Sequence, residues 1–384
     1  MEEFKNKISR ISDILEQRHK DWPYRKKASR DFRKETGNFY IQIKKSSEFN
    51  KFIIDNNEIN KFNNQKINPV FICGNMKSGT SLLGQLLDNH PDLFVFPGDS
   101  HFFKLFAKNS GLSFDQTAEW WLRKAINPTG QKPSFPFGKN PNSYIKFSKL
   151  INTFFVPENP LDAIIKSFIL SFGNKEKTYR YWVEKTPGNE FYYEKIMKFY
   201  PKAKFIHIYR NPFGNIASLQ KLEKVRHRKT SLIQKTLFYR ASYEKGLQNS
   251  KKNKNYFMLK YEDLINSPES ELKQICDFLK TDFYSTLLHP SVNGISAEAN
   301  SMIPEKRVDG KILNKIDYPE DIKKFDKKNQ KIIYSITISV LKNYKFDENT
   351  KSYLKNFEKT VSITFYYIIY EFYKLYRNLF FKNK

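Results

Sequence analysis

A glycine-bearing loop between an apolar run and a helical run has the clearest chemistry in the sequence. Two glycines stand at Walker spacing over residues 74–81, directly after the apolar run 69–73 and before the helical run 82–87. Backbone N–H groups at a helix start, together with the helix dipole, favour a bound anion. The sequence therefore predicts a cradle for a phosphate-like group. Its residues are Lys77, Ser78, Gly79, Thr80 and Ser81.

This loop departs from the P-loop of ATP- and GTP-binding proteins at one position. In that loop a lysine follows the second glycine and reaches the β- and γ-phosphates, whereas this chain has Thr80 there. Lys77 is the only lysine of the loop, and it precedes Gly79 by two residues. It must therefore approach an anion from another side, which argues against a conventional kinase or NTPase. A glycine turn without a ligand is the alternative.

A second anion-binding residue is predicted at the end of another apolar run. Arg210 follows the run 205–208, and Pro212 is well placed to open the next helix. Ligands of open α/β sheets bind at the carboxyl ends of strands, where a guanidinium beside a helix start can bind a phosphate bidentately. A lone arginine there is usually an ordinary surface residue, but the upstream loop favours the phosphate role.

These two elements resemble those of sulfotransferases that use 3′-phosphoadenosine 5′-phosphosulfate (PAPS). Residues 77–81 are similar to the 5′-phosphosulfate loop of that family, and the spacing of Arg210 and Ser218 is similar to its 3′-phosphate element. The resemblance implies that PAPS is the donor and that Lys77 stabilises charge around the bridging and sulfuryl oxygens. It also implies that Arg210 and Ser218 bind the 3′-phosphate.

Three further segments extend the resemblance. The Val-Glu-Lys-Thr-Pro stretch is similar to one in the glycan-modifying branch, which implies that Lys185 lies near the transferred group; a structural ion pair with Glu184 is the alternative. Tyr261 belongs to a segment that resembles one beside the nucleotide in the family. The residue is either a ligand or a core packing residue. Ser301 and Arg307 resemble the loop that closes over the adenosine and the 3′-phosphate.

The acceptor side is expected shortly after the phosphate loop. The order His-Pro-Asp at 90–92, then Pro97, Asp99 and His101 before two phenylalanines, has the layout of the heparan-sulfate type, which has glutamate in place of Asp99. The resemblance implies that Asp99 is the general base for an attacking hydroxyl or amine. Aspartate is one methylene shorter than glutamate. Three arrangements would compensate for this: the acceptor sits deeper, a water intervenes, or His101 carries the proton. An ordinary turn and a packed histidine are the alternatives.

Composition and charge narrow the class of protein. With 39% hydrophobic and 16% aromatic residues, the chain is too apolar for a disordered protein. Its 67 basic and 40 acidic residues give a net charge of +27, which predicts a surface that attracts phosphates, sulfates, polyanions or anionic lipid. Since RRM, KH and zinc-finger patterns are missing from the sequence, a nucleic-acid partner is not expected.

Metal, redox and membrane signals are weak. The six histidines show no ligand spacing, so no metal is expected. Cys73 and Cys276 sit in apolar segments, as reduced core residues do. Neither a secretory signal nor a run of about 18 apolar residues is present, which predicts a cytoplasmic location. Aromatic and basic residues alternate over 361–381, for which peripheral membrane contact is one hypothesis and a docking or dimerisation helix the other.

Four short apolar runs must position these residues: 69–73, 181–183, 205–208 and 256–259, with helical stretches between them. The alternation predicts an α/β, P-loop-like three-layer fold, with a central and mostly parallel sheet flanked by helices and with helical terminal extensions. The expected division is a helical embellishment over 1–66, a sulfotransferase domain over 67–320 with a helical insertion or lid over 114–172, and a helical extension over 321–384.

The sequence thus predicts in-line transfer of a sulfuryl group from PAPS to a hydroxyl or amine, with a carbohydrate or glycolipid acceptor expected. Lys77 would stabilise the leaving phosphate, Lys185 the sulfuryl oxygens, and Asp99 would activate the nucleophile. One alternative is a nucleotide-dependent kinase of the same fold, which would require magnesium and ATP. The other is a non-enzymatic protein that binds polyanions or membranes, in which Lys77→Ala would have no effect.

Overall fold

Five short strands form the central sheet of the chain. They are β1 (Asn68–Cys73), β2 (Leu93–Val95), β3 (Tyr181–Lys185), β4 (Lys204–Tyr209) and β5 (Tyr256–Lys260). Their order is β2-β3-β1-β4-β5, and each neighbouring pair runs parallel, which confirms the predicted α/β class. A sixth and a seventh strand, β6 (Ser291–Val292) and β7 (Ile295–Ser296), form a separate antiparallel hairpin.

The structure is a computed structural model, and the part of the chain that it describes has gaps. It covers residues 39–63, 67–104, 141–154, 160–173, 177–226, 229–297, 310–313, 316–346, 348–358 and 368–375, with isolated positions between 2 and 35. The predicted ligands Ser301 and Arg307 lie outside the described residues, as do most of residues 1–38, residues 105–140 and most of the segment 361–381.

Helices pack on both faces of the sheet. Those before β3 are α1 (Phe39–Lys44), α2 (Ser47–Lys51), α3 (Asn56–Asn63), α4 (Thr80–Leu87), α5 (Pro141–Phe154) and α6 (Pro160–Phe172). Those after β3 are α7 (Tyr193–Phe199), α8 (Pro212–Arg226), α9 (Leu232–Lys252), α10 (Tyr261–Asn266), α11 (Pro268–Leu279), α12 (Tyr318–Lys323), α13 (Lys327–Leu341) and α14 (Glu348–Glu358). Residues 368–375 are also helical.

The central strand β1 is buried on both faces, as its wholly apolar sequence predicts. Successive side chains of a strand point to opposite faces, so Phe71 and Ile72 contribute to different cores. The ring of Phe71 packs edge-on against Trp182, with centroids 5.4 Å apart, and stacks on Phe205 at 5.6 Å. Ile72 lies in the core on the other face, with leucines of α4.

Helices α5 and α6 belong to the same core as the Phe71 face of the sheet. Phe147 of α5 and Phe168 of α6 are fully buried, with ring centroids 6.0 Å apart. Both helices fall within the predicted insertion or lid over 114–172, yet they support the sheet directly. The described part of that segment therefore contributes to the core, and its assignment as an insertion or lid stays a prediction.

The two cysteines are buried in the core. Cys73 ends β1 and Cys276 lies in α11, and both are free thiols. This confirms the prediction of reduced core cysteines. Burial raises the pKa of the Cys73 thiol well above its usual value, so this thiol stays protonated and unreactive.

A buried histidine in β4 makes stability depend on pH. His207 is fully buried, its Nδ1 lies 3.0 Å from the Tyr256 hydroxyl oxygen, and burial lowers its pKa to about 3. An exposed imidazole in the unfolded chain titrates near about pH 6.5. Below that pH the imidazole is protonated in the unfolded state but stays neutral in the folded state. The contribution of His207 to stability is thus complete above about pH 6.5 and is lost as the pH falls toward 3.

We therefore expect His207→Gln to flatten the acid side of the stability profile. Between about pH 6.5 and pH 4, His207 makes the free energy of unfolding fall by up to about 1.4 kcal/mol per pH unit. Urea titrations of both proteins across this range measure the difference in slope. Buried carboxyls remain in both proteins and cancel in the comparison. Equal slopes would contradict the assignment.

Candidate active site

The predicted phosphate loop lies at the carboxyl end of β1, and α4 begins inside it at Thr80. Two glycines are required by close approach. A Cβ on Gly74, where φ is 131°, would lie 2.2 Å from the carbonyl oxygen of Ile208, and one on Gly79, where φ is 105°, would lie 2.4 Å from Cδ2 of Tyr261. The first N–H groups of α4 have no acceptor within the helix. The loop can therefore present them to an anion.

Lys77 stands in this loop with a left-handed backbone. Its φ is 70°, and His101 is also in this region, with a φ of 54°. Non-glycine residues pay a conformational cost there, which neighbouring structure must offset. The sequence predicts site roles for both residues. The left-handed backbone positions near the loop therefore belong to residues with a predicted chemical role.

The side chain of Asn215 in α8 holds the loop in shape. Its amide nitrogen donates to the carbonyl of Met76 at 3.1 Å and to Oγ of Ser78 at 2.9 Å, and its oxygen accepts from the amide of Asn75 at 2.9 Å. Asn215 is fully buried. The hydroxyl of Ser78 thus faces the protein, and contact of this residue with a donor molecule stays a prediction.

A buried carboxylate holds the start of the loop. Glu190 lies in the 3₁₀ turn Asn189–Tyr192 after β3, and its Oε2 accepts the backbone N–H of Gly74 at 3.0 Å. Its other oxygen accepts from the hydroxyl of Ser242 in α9. Such hydrogen bonds offset the cost of burying a carboxylate. Sequence reasoning missed both Glu190 and Asn215.

Lys185, Asp99 and His101 meet beside the loop. Nζ of Lys185 forms an ion pair with Oδ1 of Asp99 and donates to Oγ of Ser81 at 3.4 Å. Nε2 of His101 lies 3.9 Å from Oδ2 of Asp99. The predicted base therefore has a cation on one oxygen and an imidazole near the other. The lysine also connects it to the phosphate loop.

Glu184 has a structural role. The sequence left open an ion pair between Glu184 and Lys185, but the lysine pairs with Asp99 and Glu184 lies fully buried. Its oxygens accept from the backbone N–H of Ser100 at 3.2 Å, from the amide of Asn189 at 2.6 Å, and from a threonine hydroxyl. Burial raises the pKa of Glu184. It fixes the residue beside Asp99 against the end of β3.

Arg210 lies after β4, as predicted, and stacks on Tyr261 at the end of β5. Its guanidinium carbon is 4.7 Å from the centroid of the Tyr261 ring, and the same ring lies against Gly79. A Cβ on Gly214 would be 3.2 Å from Nε of Arg210, so α8 also approaches the guanidinium closely. Tyr261 is thus a packing residue between the loop and Arg210, and its role as a ligand stays a prediction.

The structure brings most of the predicted site residues to one edge of the sheet. They follow β1, β2, β3, β4 and β5 at the carboxyl ends, where ligands of parallel sheets bind. Ser218 lies further along α8 and is half-buried. Within the described ranges, no cluster of His, Cys, Asp and Glu could hold a metal ion, and no helix is long and apolar enough to cross a membrane.

We expect Asn215→Ala to loosen the loop and, on the hypothesis that the loop binds the nucleotide, to weaken that binding. The change leaves buried polar groups of Asn75, Met76 and Ser78 without their partner, which costs about 1–3 kcal/mol of unfolding free energy. The affinity for 3′,5′-bisphosphoadenosine, measured by calorimetry, should fall about tenfold or more. Asn343→Ala is the matched control, since Asn343 bonds to Tyr243. It should lower stability and leave the affinity unchanged; equal affinity loss in both variants would contradict the role of Asn215.

The parallel sheet, the glycine loop at a helix start and the charged residues at the strand ends define an enzyme of the P-loop-like α/β class. Residues 69–285 match the sulfotransferase family in sequence. This match covers more than half of the 384 residues. The chain therefore belongs to the sulfotransferase family and is a sulfotransferase. No curated protein matches the sequence significantly.

Several solved structures are similar to this chain. The sulfotransferase domain of the Synechococcus PCC 7002 olefin synthase is 22% identical, with a TM-score of 0.43 over 59% of this chain and 78% of that one. The sulfotransferase domain of the curacin biosynthetic pathway is 16% identical, with a TM-score of 0.42 over 71% and 98%. A Mycobacterium avium sulfotransferase is 13% identical, with a TM-score of 0.38 over 82% and 83%.

Proposed function

We propose that this sulfotransferase uses PAPS as donor and transfers its sulfuryl group to a hydroxyl of a carbohydrate or glycolipid. The observation that carries the proposal is the contact between the phosphate loop and the ion pair of Lys185 and Asp99. Lys185 touches both Ser81 of the loop and Asp99. A group held by the loop would therefore react within reach of a carboxylate, which is the arrangement that in-line transfer requires.

The residues present fit an adenosine phosphosulfate. The N–H groups at the start of α4, the hydroxyls of Thr80 and Ser81 and the ammonium of Lys77 form an anion-binding donor set. Close approach at Gly74 and Gly79 keeps the loop tight against β4 and Tyr261. Arg210, stacked on that tyrosine, offers a guanidinium for a second phosphate. Ser218, Ser301 and Arg307 are further proposed ligands on this side.

Different residues of the chain act on the leaving phosphate, on the sulfuryl group and on the acceptor hydroxyl. PAPS supplies a sulfuryl group whose bond to the bridging oxygen breaks as the bond to the acceptor oxygen forms. Lys77 and the loop amides stabilise the charge that develops on the leaving phosphate. Lys185 stabilises the sulfuryl oxygens, and Asp99 accepts the proton of the acceptor hydroxyl. A carboxylate at the position of Asp99 resembles the layout of the heparan-sulfate branch. This resemblance supports a sugar acceptor.

Calorimetry with 3′,5′-bisphosphoadenosine in the absence of magnesium tests the donor. We expect saturable binding that Lys77→Ala and Arg210→Ala each weaken about 10- to 100-fold, because hydrogen bonds to charged groups contribute about 1.5–3 kcal/mol. Lys273→Ala, at an exposed position of α11, is the matched control and should bind normally. ATP should bind clearly more weakly. Failure of the bisphosphate to bind, or tighter binding of ATP with magnesium, would overturn the proposal.

Transfer of labelled sulfate tests the acceptor. Radiolabelled PAPS is incubated with the chain and with neutral oligosaccharides, glycolipids, phenols or primary amines in separate reactions. Label should move to a sugar hydroxyl, and this transfer should slow by about 10²–10⁴-fold in Asp99→Asn. Label that moves only to phenols or amines would contradict the carbohydrate proposal while leaving the donor intact.

A further inference from the structure

The helical residues 368–375 have one apolar face that packs against the described part of the protein and further apolar side chains that point away from it. Tyr370 is 2% exposed and packs with Ile369 and Tyr373 against residues of α9 and α13. The hydroxyl of Tyr370 donates to Glu244 at 2.6 Å, and the guanidinium of Arg240 lies 3.8 Å from its ring centroid. This face therefore fixes the helix to the body of the molecule.

The opposite face is apolar and open to solvent. Ile368, Phe372 and Leu375 are 47%, 69% and 62% exposed. Residues separated by four and seven positions lie on one side of a helix, so these three side chains form a continuous stripe, which we name the outer face. Single exposed apolar residues are ordinary, but a stripe of three large ones marks an interaction surface.

The sequence around the outer face carries more positive than negative charge. Residues 368–384 contain four basic residues and one acidic residue, Glu371, and the whole chain carries a net charge of +27. Lys374 lies within the helix, where its Nζ is 3.4 Å from a carboxylate oxygen of Glu371, and the other three basic residues follow Leu375 in the sequence. An anionic surface would be attracted to this region, whereas a second copy of the chain would bring the same positive charge against it.

The exposed area also argues against a second copy. With about 200 Å² for each large apolar side chain, the outer face offers on the order of 350 Å². Specific protein interfaces bury about 800 Å² per partner. A bilayer needs no complementary partner surface, and apolar side chains flanked by basic residues are what an interfacial helix presents to it.

We propose that the outer face binds the surface of an anionic lipid bilayer. Ile368, Phe372 and Leu375 would enter the headgroup region, while the basic residues beside them contact lipid phosphates and carboxylates. Because Tyr370 holds the helix to α9, the body of the enzyme would be carried to the membrane with it. This inference goes beyond the proposed sulfuryl transfer and does not depend on it.

Vesicle flotation of the full chain tests the proposal. The probes are vesicles of phosphatidylcholine alone and vesicles with about 30% phosphatidylserine, a content typical of an anionic leaflet. The chain should partition at least about tenfold more strongly to the anionic vesicles. The double variant Phe372→Ser, Leu375→Ser should lower this partition at least about tenfold, because it removes most of the exposed apolar area.

Ile53→Ser is the matched control, since Ile53 is 89% exposed elsewhere on the chain, and it should float like the unmodified protein. Unchanged thermal unfolding of both variants shows that the fold is intact. Equal flotation of the double variant would overturn the proposal in favour of non-specific charge attraction. Self-association that the double variant abolishes, without flotation of the unmodified chain, would assign the outer face to a second copy instead.

Discussion

Asp99→Asn should lower the rate of sulfuryl transfer by about 10²–10⁴-fold, the usual contribution of a positioned general base. The amide keeps the shape of the side chain but cannot accept the proton of the acceptor hydroxyl. Because Asp99 does not itself belong to the phosphate loop, the affinity for 3′,5′-bisphosphoadenosine should stay within a small factor. Release of the bisphosphate from PAPS, measured under single-turnover conditions, gives the rate, and calorimetry gives the affinity.

Two companion variants separate Asp99 from its neighbours. Asp99→Glu places the family's residue at this position and should retain much of the activity, whereas His101→Gln should have a small effect. A full-size rate loss in His101→Gln, with Asp99→Asn nearly active, would assign the proton transfer to His101, 3.9 Å away.

Two hydrogen bonds attach the residues that follow Asp99 to the end of β3. Glu184 holds the backbone of Ser100 against the end of β3, and the hydroxyl of Thr186 accepts from the backbone N–H of His101 at 3.0 Å. The segment that carries Asp99 is thus attached to the strand that carries Lys185. Because both partners of the ion pair are attached to β3, the sheet sets the relative position of their backbones.

The residues that could be predicted from sequence are those whose signal is local. The loop was recognisable because glycines, a lysine and hydroxyls coincide between an apolar run and a helical run. Four of the five sheet strands were recognisable as apolar runs. β2 was missed because Leu93–Val95 is only three residues long and stands between two turn motifs. A three-residue run carries too little pattern to distinguish a strand from a loop.

The supporting polar residues could not be predicted, since their partners are distant in sequence. Asn215 binds a loop residue 140 positions away, and Glu190 binds one 116 positions away. In sequence a polar residue within a helical stretch is expected to face solvent, and only the fold shows that these two are buried beneath the loop. The core position of α5 and α6 is hidden for the same reason, because helical periodicity does not say which surface an apolar face meets.

Lys77→Met should have the second large effect, a loss of about 10²–10³-fold in the rate of sulfuryl transfer. Methionine keeps the aliphatic stem of the side chain and removes its charge. If Lys77 acts on charge that develops as the bridging bond breaks, the change must lower kcat far more than it lowers affinity, because ground-state binding of the phosphates is shared with the loop amides.

The left-handed backbone at Lys77 allows the charge to be tested apart from loop shape. Glycine relieves the cost of a φ of 70°, so Lys77→Gly should unfold at the same or a higher temperature than Lys77→Met while both lose the rate. Lys77→Arg keeps a cation and should recover part of it. Rates from single-turnover release of 3′,5′-bisphosphoadenosine decide the matter. If the rates of the three variants follow loop stability and do not depend on charge, Lys77 is a structural residue of the turn. Lys185 would then be the cation that acts on the reacting group.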